Sequence, residues 1–207
     1  MINHGYPSTC EVVQNDQTGS IDVVMTNEIS SSSNSRGSDM ELCFSYGPPT
    51  NPSAMLAKYG FLDTLAPATF CKMIFNNPSP ELVNVGYDPT KMLFFCNSGD
   101  VDPVVWDVLL FSRLERKREY DGFKTAFYQA CMAGDETTKQ QIHQQFATET
   151  SKALLLHVDH ILAEVAELTV KMNAFDATKH PRLPLLRQHH SMVTSTFQKV
   201  RSQLAPM

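Results

Sequence analysis

Residues 40–61 read MELCFSYGPPTNPSAMLAKYGF, and the fold of the first half of the chain turns on them. Alternation places Leu42, Phe44 and Tyr46 on one face of a strand and Glu41, Cys43 and Ser45 on the other, because successive strand side chains point to opposite faces. A Gly/Pro turn follows Tyr46. PSAMLAKY, from Pro52 to Tyr59, then has helix character, with proline in the first turn, where its missing N–H costs nothing. A strand tyrosine is thus followed by a helix that ends in a second tyrosine and Gly-Phe.

Upstream, CEVV, NDQTG and IDVVM between Thr9 and Met25 read as a β-hairpin, two β-branched runs around a turn that tolerates positive φ. ISSSSNSRGSD, Ile29 to Asp39, holds too little apolar surface to order itself and is expected to be a mobile loop. Downstream, 70–76 and 91–97 look like strands divided by a Pro- and Asn-rich linker from Asn76 to Pro89. Helical periodicity takes over at Pro103, with Val104, Val108, Phe111 and Leu114, or Val105 and Leu109, as an inward stripe. The longest stripe is Leu154, Val158, Ile161, Val165, Leu168, Met172 and Phe175, in steps of four and three that face another helix. A break or cap is expected near Thr150. Prolines end the helix between Asn173 and Pro184, and a last helix from about Leu185 returns through Leu186, Val193, Phe197, Val200 and Leu204. The expected fold class is α+β: a β-rich piece, residues 1–97, then an antiparallel helical bundle, residues 98–207.

Among the 207 residues 42% are hydrophobic, enough for a buried core. The net charge of −5 argues against a polyanion-binding surface. The densest basic run, RLERKR from Arg113 to Arg118, carries Glu115 within it and Glu119 beside it, so nucleic acid is not expected as a partner. Five cysteines, at 10, 43, 71, 96 and 131, share no metal-ligand spacing and read as reduced thiols of an intracellular protein. No secretion signal or membrane span is expected. Cytoplasm, nucleus and plastid are not distinguishable. The pair His189-His190 and the set His143, His157 and His160 lack a carboxylate motif such as H-E-x-x-H, so they read as solvated helix faces, and no metal is expected.

MINH at 1–4, FSYG at 44–47, TN at 50–51 and KYGF at 58–61 occur in the order found in SET-domain protein methyltransferases. The chain resembles the C-terminal part of the branch typified by the Rubisco large-subunit methyltransferase. The resemblance implies a partial SET fold over 1–97, followed by a helical domain of the substrate-binding type over 98–207. It also implies an S-adenosylmethionine-dependent protein-lysine N-methyltransferase. On the same basis Tyr46 is the expected catalytic tyrosine, Asn3 and His4 are expected cofactor contacts, and Tyr59 and Phe61 line the substrate channel. The partner implied is a lysine-containing client protein.

Tyrosine suits that chemistry. In-line transfer from sulfonium to nitrogen needs alignment and a neutral amine; an aromatic channel disfavours the ammonium, and a phenol hydroxyl reaches the reacting centre. The family's Gly-rich cofactor-cradling strands precede its Asn-His element, whereas this chain starts at that element. It is therefore expected to be either part of a longer enzyme or a remnant that no longer methylates. The alternatives are a non-catalytic protein-interaction module, with a core tyrosine at 46, and a protein-histidine methyltransferase; Tyr-Gly-Phe tilts the resemblance toward lysine.

Overall fold

The computed structural model describes residues 3–5, 8–26, 42–46, 50–62, 70–71 and 78–204. It is mixed α+β, 62% helical with a few small sheets. The chain divides into two compact units, residues 1–68 and 69–207.

In the first unit β1 (Asn3–His4) pairs in parallel with β4 (Cys43–Phe44), Asn3 opposite Cys43 and His4 opposite Phe44. The hairpin lies between them in sequence: β2 (Cys10–Gln14) and β3 (Ile21–Met25) are antiparallel, with Cys10 opposite Met25. Its turn is local chemistry, since the Asn15 carboxamide oxygen accepts from the N–H groups of Gln17 and Thr18, at 3.0 and 3.2 Å. Thr9 ties the hairpin to β4: its N–H donates to Cys43 O at 2.8 Å and its hydroxyl accepts from Cys43 N at 2.9 Å. Both faces of the hairpin carry exposed apolar residues, Val12, Val13, Ile21, Val23 and Val24 among them. Helix α1 (Pro52–Tyr59) is capped by Asn51, whose side chain accepts from Ala54 N, and buries Met55. The expected loop 29–39 and the turn residues 47–49 lie outside the described residues.

The second unit begins with β5 (Phe70–Cys71), antiparallel to β6 (Phe94–Phe95). The strand expected over 91–97 is thus reduced to two residues; 72–76 fall outside the described residues. The expected linker 76–89 contains helix α2 (Pro80–Asn84), started by Ser79, whose hydroxyl accepts from Leu82 N. Compact packing divides the chain at 68/69 where the sequence suggested 97/98. The reason is Phe94, which is fully buried against Phe197, ring centres 4.9 Å apart, so the small sheet shares the helical core.

Four longer helices complete this unit: α3 (Pro103–Leu114), α4 (Asp121–Ala133), α5 (Glu136–Asn173) and α6 (Leu183–Leu204). Asp102 and Asp135 cap α3 and α5, accepting from Val104 N and Thr138 N. Helix α3 is central and buries most of its surface, Val105, Val108, Leu109, Leu110, Phe111 and Leu114 together, so neither single stripe expected from its sequence describes it. The α5–α6 pair is antiparallel, with His190 against Val165 and Arg201 against Asp159. Helix α3 instead runs in the same direction as α5, since Asp107 meets His143 and Arg113 meets Glu149.

Two expectations for α5 need correction. There is no break near Thr150: the residue is 2% exposed and its hydroxyl donates to Phe146 O and Ala147 O, satisfying itself inside a continuous helix of 38 residues. The inward stripe is buried only through Leu154, Val158, Ile161 and Val165; Leu168 and Phe175 are 49% and 53% exposed.

Candidate functional site

The residues singled out near the amino end come together in the first unit. Parallel pairing of β1 with β4 lays the Asn-His element beside the strand leading to Tyr46. The His4 ring lies 5.3 Å from that of Tyr46 and 5.2 Å from that of Phe61, and Tyr46 lies 4.9 Å from both Phe44 and Tyr59. The planes are tilted rather than stacked, the arrangement ring quadrupoles favour. The backbone N–H of Tyr46 donates to His4 Nδ1 at 3.1 Å, which leaves the ring proton on Nε2. The Tyr59 hydroxyl returns to donate to Tyr46 O at 3.3 Å.

Gly60 explains how Tyr59 and Phe61 both reach the cluster. At φ 73° it ends α1 in the left-handed conformation, its N–H donating to Leu56 O, and turns the chain back so that Phe61 stands 6.1 Å from Tyr59. Asn3 is exposed on β1, beside His4. Tyr46 and Phe61 are half-buried and Tyr59 is more open. Asn3 is the one member of the expected set with no ring to stack.

A second constellation, in the helical unit, was not legible as a site. Asp107, 5% exposed on α3, accepts from His143 Nε2 at 2.6 Å, from Lys139 Nζ at 2.8 Å and from the Tyr87 hydroxyl. Burial resists ionisation of Asp107, but the bonds from His143, Lys139 and Tyr87 outweigh it and hold the carboxyl below its usual range. Burial and the neighbouring Asp107 push the Tyr87 phenol up. Lys139 is opposed by burial, yet Asp107 and Glu136 keep it above the ordinary lysine value. His143 is therefore not a solvated histidine, as its spacing suggested, but a partner of a buried acid. The network forms one wall of a cleft of about 600 Å³ that Trp106 also lines. Asp107 on α3 holds Lys139 and His143 on α5, so the network fastens the two helices. Its sequence signal was a lone acid in the apolar run VVWDVLL, with Lys139 and His143 one turn apart on one helix face.

His190 needs the same correction: half-buried, its Nε2–H donates to Val165 O at 2.6 Å. His160 is exposed beside Glu164. Among the described residues no group of three His, Cys, Asp or Glu is placed to hold a metal ion. The cations of 113–118 are in part neutralised, Arg113 by Glu149 at 2.8 Å and Lys117 by Glu119 at 3.2 Å. Cys71 on β5 and Cys96, just past β6, are hydrogen-bonded to one another. The bond from Cys71 brings Cys96 down to about 6 against the opposing effect of burial, helped by Thr196 and Lys199, while Cys71 is pushed up. No described helix is long and apolar enough to cross a membrane.

Neither a protein-family model, nor a curated protein, nor a solved structure matches this chain.

Proposed function

We propose that this chain is the distal part of an S-adenosylmethionine-dependent protein-lysine N-methyltransferase of the SET type, resembling the Rubisco large-subunit methyltransferase branch, with residues 98–207 acting as its client-binding helical domain. The observation that supports the reading best is the packing of His4 on Tyr46 and Phe61, with Tyr59 closing back on Tyr46. Parallel pairing of β1 with β4 brings two motifs forty residues apart in sequence together, and a shared ligand would use the ring cluster that results.

The residues suit the cofactor. Exposed Asn3 carries an amide donor and acceptor for polar groups of a nucleoside or an amino acid, and the faces of Tyr46, Tyr59 and Phe61 attract a cation such as a sulfonium. Bound S-adenosylmethionine would supply an electrophilic methyl: the lysine nitrogen gives its lone pair to form the C–N bond and the C–S pair returns to sulfur. The chain's own part is to orient and to exclude water. Tyr46 walls the amine's approach and offers its hydroxyl beside the reacting nitrogen. Tyr59 and Phe61 make the approach apolar, so that the neutral amine is favoured over the ammonium. His4 fixes the Tyr46 backbone through the bond to its Nδ1.

The test measures methyl transfer from radiolabelled S-adenosylmethionine to an array of lysine peptides, with calorimetry of cofactor binding alongside. Tyr46→Phe is expected to lower turnover on the order of a hundredfold while cofactor affinity holds; His4→Ala is expected to weaken cofactor binding itself. Turnover unchanged in Tyr46→Phe would remove Tyr46 from the mechanism.

A further inference from the structure

The apolar stripe of α5 runs past the packing that buries it. Leu154 to Val165 are covered by the bundle, whereas Leu168 on α5 and Phe175, just past its end, are about half exposed. On α6, Leu183, Val193, Phe197 and Val200 are buried while Leu186 is 44% exposed. The exposed Phe175 and Leu186 meet at the tip of the α5–α6 hairpin, where with Met172, Pro181 and the buried Leu183 they line a concavity of about 560 Å³. A single half-exposed leucine needs no explanation; exposed apolar side chains converging on one hollow do.

The charge around this hollow is opposite to that of the protein. The chain carries −5 overall, but between Leu168 and His190 it has Lys171, Lys179, Arg182 and Arg187 against Asp176 alone. Asp176 is occupied locally, accepting from the N–H and the hydroxyl of Thr178. Arg187 donates to Met172 O and so helps hold the end of α5. Lys179 and Arg182 line the rim, and neither forms an ion pair among the described residues.

We infer that the α5–α6 tip is a docking site for an acidic amphipathic segment of a partner protein, its apolar side chains entering the hollow and its carboxylates meeting Lys179 and Arg182. The shape favours this occupant over a bilayer, because a concave pocket takes inserted side chains where a membrane offers a plane. It also favours it over a second copy of the chain, since a symmetric contact would set this basic rim against itself. The inference is independent of methyl transfer.

The experiment uses fluorescence anisotropy with the full chain and labelled synthetic peptides of equal length. One is amphipathic, with Leu and Phe at every third and fourth position and Glu or Asp between; one is its scrambled sequence; one replaces each acid by Lys. The acidic amphipathic peptide is expected to bind at least about tenfold more tightly than either control. Phe175→Ala, a surface change that leaves the melting temperature in place, is expected to weaken it about tenfold, and Lys179→Glu with Arg182→Glu to abolish its salt dependence. Equal binding of the scrambled peptide, or none of any, overturns the inference. So does co-sedimentation with phosphatidylserine vesicles that Phe175→Ala abolishes, which would make the tip a membrane contact, or a dimer that the same change dissociates.

Discussion

Asp107→Ala is the most informative single change in the helical unit. It removes the acceptor shared by His143, Lys139 and Tyr87 and leaves a mostly buried ammonium, an imidazole and a phenol to find other partners. Breaking a buried pair by deleting one member costs about 3–5 kcal/mol. Lys139 retains Glu136 at 3.3 Å and some contact with water, so the low end applies, about 3 kcal/mol. With an m-value of about 2 kcal/mol/M the urea midpoint, followed by circular dichroism at 222 nm as helical signal, should fall by about 1.5 M. The loss should also depend on pH in a stated direction. The Asp107 carboxyl sits below its ordinary range, so its contribution is present above about pH 4 and is lost as pH falls through the folded value. Lys139 and Tyr87 sit above theirs, so their contributions are present below about pH 10 and are lost as pH rises through the folded values. The gap between wild type and variant should therefore be widest from about pH 5 to 9 and narrow on both sides. A loss below about 1 kcal/mol, or a gap that does not change with pH, would refute the account of this network as the fastening between α3 and α5.

Three further outcomes follow from the same packing. Gly99→Ala places a Cβ 2.6 Å from that of Lys199 at a backbone φ of +81°, and thermal melts should show it destabilised by about 2 kcal/mol or more from overlap and strain combined. Phe197→Ala empties a fully buried site against Phe94; chemical denaturation should record a loss of about 3–5 kcal/mol. The Cys96 thiol, brought down to about 6, should keep thiolate absorbance at neutral pH that disappears in Cys96→Ser, and its contribution to stability should be present above the ordinary thiol value and lost as pH falls through about 6.

What the sequence disclosed was local. The hairpin was legible because Asn15 and Gly19 carry the turn themselves, one by accepting two backbone N–H groups and the other by adopting φ +70°. The helix after Pro52 was legible for the same reason, whereas α5 ends at Asn173, short of Pro181 and Pro184, which were expected to end it. Thr150 misled because a threonine between Glu149 and Ser151 resembles a cap, while its hydroxyl in fact bonds back to the preceding turn. Asp107 could not be placed, since its partners come from positions 20, 32 and 36 residues away and no periodicity records which of three helices a lone acid will face. At the amino end the convergence of His4, Tyr46, Tyr59 and Phe61 was implied by the family resemblance of their motifs, whereas the bond from Tyr46 N to His4 Nδ1 was not.

Helix α5 extends about 57 Å at 1.5 Å per residue, yet the stretch anchored by burial stops near Val165. Cooperative opening should respect that boundary. The last two turns of α5 are expected to fray and re-form without melting the rest, so amide protons beyond Val165 should exchange with solvent far sooner than those around Val158. The helix is continuous to the eye but thermodynamically it is an anchored shaft with a loose end.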